Sequence, residues 1–164
     1  MLGEHITDDC GAEGGGSIAG LGLLPVITSF GEEKHRSRAS GRIERLPELE
    51  ELSGAEVEGY EIHMGKTELK EGARSLVMLD NGSFDGCFCK NVLGSYLHGF
   101  FDSASCRAAL LTMLCAARGI DARELAWFDY AAYKEQQYDA LANGIRENLD
   151  MSLIYRILEE GVML

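Results

Sequence analysis

The sequence pattern changes from extended to helical at Leu93-Gly94-Ser95-Tyr96-Leu97-His98-Gly99-Phe100-Phe101-Asp102. An extended run, Cys87 to Leu97, ends on His98, and a glycine follows at once. An imidazole at the tip of a buried strand is well placed to act as a general base, because it titrates near neutral pH. Taken alone, the stretch favours a structural role for His98 over a catalytic one, so the rest of the chain must decide between them.

The residues after this stretch predict helices. Asp102 or Ser103 can cap a helix start, and Gly119 can end the helix. Between them, apolar residues recur at helical spacing on one face: Cys106, Leu110, Met113, Leu114 and Ala117. Tyr130 to Glu160 is also helical in pattern, and Asp150 is able to start a second helix there. The apolar stripes of these helices are expected to form core or a docking face.

The residues before this stretch predict strands and loops. The expected order is a helix tail at Met1–Ile6, a loop at Thr7–Ser17, an apolar strand at Leu21–Val26, a basic extended segment to Arg45, strands at Val57–Leu69 and Ser75–Leu79, a turn at Asp80–Gly82, and a hairpin around Asn91. The glycine-rich loop could be a phosphate cradle, but it lacks the Gly-Lys-Ser/Thr ending of such loops. A plain connection is therefore favoured.

Strands first and helices last predict an α/β chain, with a mixed sheet followed by C-terminal helices. A length of 164 residues fits one domain, 1–164, or a piece of one. Too few helices lie between the strands for a complete βαβ domain. The sequence is therefore expected to be the second half of an α/β unit.

The composition argues against nucleic-acid and membrane partners. Asp and Glu outnumber Lys and Arg 27 to 15, for a net charge of −12, whereas nucleic acids require a positive surface. No apolar run approaches the ~18 residues of a membrane span, and the polar residues at the start of the sequence lead us to expect no signal peptide. Five cysteines without disulfide spacing indicate reduced thiols in a cytoplasmic protein. The clustered basic residues fit the solvated face of a strand: Lys34, Arg36, Arg38, Arg42 and Arg45.

Four histidines are the main candidates for chemistry. His5 and His35 are expected to be exposed, whereas His63 and His98 lie in extended segments that could converge at one sheet edge. A zinc site is conceivable there, but neither histidine has a partner at metal-ligand spacing, and no metal is expected. Cys87-Phe88-Cys89 is better explained by packed thiols. No Gly-x-Ser/Cys-x-Gly elbow occurs, so the residues alone give a histidine without a nucleophile.

Four segments together resemble the C-terminal glutamine amidotransferase region of the cobyric acid synthase family. They are Met1-Leu2-Gly3-Glu4-His5-Ile6 with Asp8 and Glu13, Gly20-Leu21-Gly22-Leu23-Leu24-Pro25-Val26, Gly59-Tyr60-Glu61-Ile62-His63-Met64-Gly65-Lys66-Thr67, and Tyr96-Leu97-His98-Gly99-Phe100-Phe101-Asp102. The resemblance covers nearly the whole chain. It implies the C-terminal portion of a class-I-like, flavodoxin-like glutamine amidotransferase domain.

The resemblance also implies roles for individual residues. His98 matches the catalytic histidine, which activates a cysteine thiol and protonates the departing ammonia. Tyr60, Glu61 and His63 match the strand that approaches bound glutamine, although a structural role for Tyr60 and Glu61 stays equally open. Related amidotransferases have a glutamate two residues after the histidine, where this chain has Phe100, so another group is expected to orient the imidazole.

The resemblance implies further parts outside this sequence. Ammonia released from glutamine is expected to pass to an ATP- and Mg²⁺-dependent domain that amidates adenosylcobyrinic acid a,c-diamide in cobalamin biosynthesis. The 164 residues themselves are expected to bind no cofactor. The nucleophile elbow and the ATP-binding domain are expected to lie elsewhere, with a partner chain as one possible carrier of the missing half. These residues alone are therefore expected to be inactive. A non-catalytic remnant or a partner-binding α/β module is the alternative.

Overall fold

A computed structural model describes residues 1–124 and 128–161. The chain divides into two compact units, Met1–Ala126 and Trp127–Leu164, and each is described by itself. The described part of the first unit contains an eight-stranded sheet and one long helix. The described part of the second unit contains two helices. None of the described helices is long and apolar enough to span a membrane.

The strands all lie in the first unit. They are β1 His5–Asp8, β2 Gly16–Ala19, β3 Val26–Ile43, β4 Glu56–Leu69, β5 Arg74–Leu79, β6 Phe84–Cys89, β7 Val92–Gly94 and β8 Leu97–His98. The helices are α1 Ala104–Arg118, α2 Tyr130–Asn148 and α3 Met151–Glu160, with short 3₁₀ turns at Glu50–Leu52 and Ala122–Glu124.

The sheet is mixed. Its order is β2-β1-β3-β5-β6-β7, and β4 pairs with both β3 and β8. The β1–β3 pair is parallel, and the other pairs in the described sheet are antiparallel. The predicted α/β class, with a mixed sheet followed by C-terminal helices, is confirmed. The strand at Val57–Leu69, the strand at Ser75–Leu79 and the hairpin around Asn91 are confirmed as well.

The two longest strands, β3 and β4, form a ribbon that runs from the Val26–Leu69 pair to the Arg42–Glu56 pair. The register shifts between Phe30 and His35, where β3 contains more residues than β4. The clustered basic side chains of this region are all exposed, as the alternating pattern predicted: Lys34, Arg36, Arg38, Arg42 and Arg45. The ribbon brings His35 opposite His63.

The main core lies between the sheet and α1. Its least exposed members include Leu46, Leu52, Leu76, Val77 and Phe88, and Leu97 and Phe100 from the stretch around His98 join it. Helix α1 is capped at its start by Ser103, whose side chain accepts from the Cys106 N–H at 3.4 Å, and at its end by the left-handed Gly119. Both caps were predicted. Burial of this apolar surface is the main force that holds α1 on the sheet.

Two predictions about the first 26 residues were wrong. Met1–Ile6 is not a helix tail, because His5 and Ile6 lie in β1 and pair with β2 on one side and β3 on the other. Leu21–Val26 is not a strand, because residues 20–25 turn back so that the Leu21 and Leu23 N–H groups bond the carbonyls of Met1 and Leu2. Leu21 and Leu23 are exposed, and β3 begins only at Val26.

The glycine-rich loop after β1 is a connection, and its geometry argues against a phosphate cradle. The buried Asp8 carboxylate accepts N–H bonds from Ala12 at 2.8 Å, Glu13 at 2.7 Å and Gly15 at 2.9 Å. These N–H groups are the donors that a phosphate would require, and they are already used. The bonds to Glu13 and Gly15 are the main reason that the pKa of Asp8 lies below its usual value.

Replacing Asp8 with asparagine is expected to weaken the fold and to change its response to acid. A lowered folded-state pKa means that Asp8 stabilises the fold above its usual pKa of 3.8, and that this contribution is lost as the pH falls through the lower folded-state value. Asp8→Asn should therefore unfold at a lower temperature at pH 7 and lose less of its remaining stability below pH ~4. Thermal unfolding followed by circular dichroism from pH 3 to 7 measures both effects.

The matched control is Asp9→Asn, which removes the same charge from the exposed neighbouring residue. It should leave the unfolding temperature close to that of the wild type. Equal effects of the two substitutions would contradict the role given to the Asp8 hydrogen bonds.

The second unit confirms the predicted helical region and its restart. Asp129 caps α2 by accepting from the Ala132 N–H at 3.0 Å, and Asp150 caps α3 by accepting from the Leu153 N–H at 3.0 Å. Several large apolar side chains of these helices are exposed: Leu141, Ile145, Leu149, Leu153, Tyr155, Ile157 and Leu158.

Candidate functional site

His98 lies at the end of β8, a strand of only two residues. β8 pairs with β4 so that His98 is opposite Tyr60 and Leu97 is opposite Glu61. Gly99 follows with φ 87°, and its carbonyl accepts from the Asp102 N–H at 2.7 Å, so the chain turns immediately after the histidine. His98 is exposed, and its imidazole has no hydrogen-bond partner among residues 1–124 and 128–161. The ring is therefore open to contact with a substrate or another polypeptide segment.

The alternation of side chains divides the predicted site residues between two faces of the sheet. Tyr60 and His98 are directly opposite each other and so share a face, where Tyr60 is 53% exposed. Glu61 and His63 lie on the other face, together with the buried Leu97. The two extended segments do meet at this part of the sheet, but His63 and His98 lie on opposite faces of it.

A zinc site shared by these two histidines is not supported, because its ligands would have to come from one face. No group of three or more His, Cys, Asp or Glu side chains in the described part of the chain is arranged to hold a metal ion. His5 is half-buried in β1 rather than exposed, because β1 lies inside the sheet. His35 is exposed, as predicted.

On the face of the sheet that carries Leu97, called the inner face below, the carboxylate of Glu61 contacts two histidines. It lies 2.8 Å from Nε2 of His63 and 3.3 Å from Nε2 of His35. Nδ1 of His63 donates to the Gly65 carbonyl at 2.7 Å, so that nitrogen carries a proton. Nε2 of His63 is hydrogen-bonded to Oε1 of Glu61, so the two side chains form a connected pair.

The ring of Tyr96 lies against this pair. It stacks on the ring of His63 with 4.4 Å between centroids. Its hydroxyl lies 2.5 Å from Oγ1 of Thr67, which in turn is 2.8 Å from Oγ1 of Thr28. Tyr96 precedes β8, so these contacts fix the segment that leads into His98. His63, predicted to lie near glutamine, thereby contacts the residue that leads into β8, and Glu61 is hydrogen-bonded to His63.

Asp85 was missed by the sequence analysis. It lies in β6 and is 3% exposed, and its carboxylate accepts from the Ser95 hydroxyl and, at 3.1 Å, from the Tyr96 N–H. Burial is the largest cause that raises the pKa of Asp85, and the bonds from Ser95 and Tyr96 oppose it. The available signal was an acid inside the otherwise apolar run Phe84 to Cys89.

A cavity of about 460 Å³ opens on this inner face. Glu61, His63, Asp85 and Tyr96 line it on the polar side, and Leu24 is among its apolar lining residues. His98 and Tyr60 do not line it. The cavity and the exposed imidazole are therefore separate features of the sheet.

The five cysteines are free thiols, and none hydrogen-bonds to His98 within the described residues. Burial raises the pKa of Cys87 and of Cys106 to about 11. Cys87 packs with Leu24 and Val26, and Cys89 packs against this cluster, which confirms the prediction of packed thiols. Cys10 is exposed, and its thiol points to the carboxylate of Asp8 and to a backbone carbonyl.

Alkylation of the folded protein is expected to modify Cys10 before Cys87 and Cys106. At pH 8 only about one in 10³ molecules would carry a thiolate at Cys87 or Cys106, because the pKa of each is about 11, and both thiols are also buried. Peptide mass spectrometry after brief iodoacetamide treatment reads the order, with a urea-unfolded sample as control. Modification of Cys106 before Cys10 in folded protein would contradict this assignment.

Comparison with known proteins identifies the family of this chain. Residues 1–106 match the CobB/CobQ-like glutamine amidotransferase domain, and the chain belongs to this family. Among individual relatives, a cobyric acid synthase of Lachnoclostridium phytofermentans is 40% identical over 183 residues, covering 99% of this chain and 34% of the relative. A cobyric acid synthase of Ruminiclostridium cellulolyticum is 40% identical over 170 residues, covering 99% and 33%. The resemblance carried by the four sequence segments is confirmed.

These matches cover only part of each relative. The chain spans about a third of the length of the curated relatives it matches. Among solved structures, a glutamine amidotransferase from Thermotoga maritima aligns with a TM-score of 0.37 and 12% identity, over 71% of this chain and 50% of that one. That likeness is too low to bear on the fold.

Proposed function

We propose that this chain supplies the acid/base histidine of a glutamine-hydrolysing site that serves a cobyric acid synthase. The observation that carries the proposal is the exposed imidazole of His98 at the end of β8, unpaired within the described residues, in a chain of the glutamine amidotransferase family. Glutamine is the substrate, and glutamate and ammonia are the products. The alternation of side chains supports Tyr60 as the predicted residue that shares the face of His98.

The chemistry assigns two opposite tasks to the imidazole. In the first step His98 takes the proton of a cysteine thiol, and the thiolate attacks the side-chain amide carbon of glutamine. His98 then gives that proton to the departing nitrogen, and ammonia leaves a thioester behind. In the second half His98 takes a proton from water, which attacks the thioester, and returns it to the thiol as glutamate leaves.

The thiol comes from a polypeptide segment other than these 164 residues. Cys87 and Cys106 are buried with pKa values of about 11, Cys115 is buried, and Cys89 is packed against an apolar cluster. Cys10 is exposed but lies beside a carboxylate rather than a base. A nucleophilic cysteine needs the opposite surroundings, with an adjacent histidine or positive charge.

The fate of the ammonia follows from the cobyric acid synthase relatives. We assign it to the amidation of adenosylcobyrinic acid a,c-diamide, a step of cobalamin biosynthesis in the cytoplasm that requires ATP and Mg²⁺. We assign the ATP-dependent step to another part of the assembly, because the N–H groups of the glycine-rich loop are already bonded to Asp8.

A second candidate is a partner-binding module without catalysis. The several large apolar side chains exposed on α2 and α3 favour it, because exposed apolar surface is often used to bind a partner. The two functions are separable, since a module without catalysis would release no glutamate.

The proposal is tested with glutamine labelled with ¹⁵N in its side-chain amide, using the full protein or complex that contains both this chain and the nucleophilic cysteine. We expect glutamate and labelled ammonia in equal amounts. With ATP, Mg²⁺ and adenosylcobyrinic acid a,c-diamide present, the label should appear in the corrinoid amides. A protein that releases no glutamate would contradict the glutaminase proposal, and release without transfer would contradict the proposed acceptor.

A further inference from the structure

We infer that Asp85 is a positioning residue for His98, acting through the backbone of the segment that leads into β8. The inference rests on the proposed function, because it concerns the placement of the acid/base imidazole. Phe100 occupies the position where related amidotransferases have a glutamate that orients the histidine. In this chain another group must therefore fix the position of His98, and Asp85 can do so. Asp85 is not a substitute for that glutamate in contact with the ring, because it touches residues before His98 rather than the imidazole.

β8 cannot hold the histidine by itself. It is two residues long and pairs with one strand, β4, among the described elements. Gly99 turns the chain away immediately after it. Such a short edge strand frays unless other contacts fix its approach, because few hydrogen bonds must offset the loss of backbone freedom.

Asp85 supplies those contacts with both carboxylate oxygens. Oδ2 accepts the Ser95 hydroxyl and Oδ1 accepts the Tyr96 N–H at 3.1 Å. Oγ of Ser95 in turn accepts the Leu97 N–H at 2.9 Å. Three consecutive residues before His98 are thus tied to one side chain that is 3% exposed. Hydrogen bonds to a charged acceptor are stronger than those between neutral groups.

Asp85 is itself held by a close contact between β6 and the end of β7. A Cβ built on Gly86 would lie 2.3 Å from the Gly94 carbonyl oxygen, and Gly86 has φ 66°. Only glycine allows this approach, which brings the backbone at Ser95 within reach of Asp85. On the opposite side, the Tyr96 ring is held by His63 and Thr67. The segment 95–97 is therefore clamped from β6 and from β4.

The fold gains little from the charge of Asp85. Its burial raises the pKa, so ionisation at this position costs free energy. Leucine has the same branching and number of side-chain heavy atoms and no desolvation cost, so it should keep the core close to intact while it removes both acceptors. Asparagine keeps one acceptor oxygen for the Tyr96 N–H and can donate to Oγ of Ser95. The pair Asp85→Leu and Asp85→Asn therefore separates loss of the clamp from loss of charge.

The experiment uses the full protein or complex that contains this chain and the nucleophilic cysteine, and it combines two readouts. Hydrogen–deuterium exchange of the peptide containing Tyr96 and Leu97 is compared with exchange in β5, and kcat and KM are measured for glutamine hydrolysis. Asp85→Leu is expected to speed exchange at residues 95–98 about tenfold without changing β5. It should lower kcat about 10²-fold with little change in KM, because a small displacement of a catalytic group has that cost. Asp85→Asn should restore most of both.

Two variants complete the test. Ser95→Ala removes the bridge to Leu97 and should give a smaller loss of kcat with faster local exchange, which keeps the inference testable if Asp85→Leu does not fold. Asp139→Leu, an exposed position in α2, is the control and should leave both readouts unchanged.

Slow exchange and wild-type kcat in Asp85→Leu, or in Ser95→Ala if that is the variant that folds, would overturn the inference. If Asp85→Leu exchanges faster but the wild-type protein itself releases no glutamate, the proposed function is contradicted. The structural role of Asp85 in holding residues 95–97 is then still confirmed.

Discussion

Replacing His98 with alanine is expected to lower kcat for glutamine hydrolysis by about 10²–10⁴-fold, the usual contribution of a positioned acid/base group. The imidazole is exposed at the end of β8 and has no hydrogen-bond partner among the described residues, so its removal should disturb the fold little. KM should change less than kcat, because the proposed role concerns proton transfer rather than binding. Steady-state assays of glutamate release give both constants.

The matched control for this substitution is His5→Ala. His5 is a half-buried histidine of β1, a strand that pairs with β2 and β3 rather than with β8. It should retain most of the wild-type kcat. Equal losses in the two variants would show that the effect of His98 is structural, and would contradict an acid/base role.

Replacing Gly59 with alanine is expected to displace β8 and to lower glutamine hydrolysis about 10²-fold. A Cβ at this position would lie 2.1 Å from the carbonyl oxygen of His98. Neither the added Cβ nor the carbonyl oxygen can be moved by rotating a side chain. The strand that carries His98 must therefore move. Overpacking of this kind also costs roughly 1–3 kcal/mol of stability. Kinetic assays and urea unfolding measure the two effects.

Gly144→Ala is the control for backbone substitution. Gly144 lies inside α2, and a Cβ there would meet nothing within 4 Å. Alanine should raise stability by roughly 0.5–1 kcal/mol, because glycine is a poor helix former, and should leave hydrolysis unchanged. A Gly59→Ala variant with wild-type kcat would contradict the close contact between β4 and β8 on which the placement of His98 depends.

Local features of the fold could be predicted from the sequence. The caps of α1, the restart at Asp150 and the long strand β4 all follow from signals within a few residues of each other. The two wrong predictions at the N-terminus have a common physical cause. β1 obtains its hydrogen bonds from β2 and β3, and the turn before β3 obtains them from Met1 and Leu2, so both depend on distant partners rather than on local preference.

In the candidate site, too, features set by local sequence could be predicted, whereas features set by distant partners could not. The motif around His98 was sufficient to single out the histidine and to place it at a strand end. Its separation from His63 required the register of β4 against β8, because one residue of register decides the face on which a side chain lies. The burial of Asp85 required the approach of residues 94–96 to β6, which no spacing within the sequence reports.

The most direct test of the central claim is chemical rescue of the His98→Ala variant by free imidazole. If the ring at position 98 transfers protons, added imidazole should restore part of the lost glutamate release in a concentration-dependent manner. The same imidazole should not accelerate the wild-type protein. A His98→Ala variant that hydrolyses glutamine at the wild-type rate without imidazole would contradict the assignment of His98 as the acid/base group.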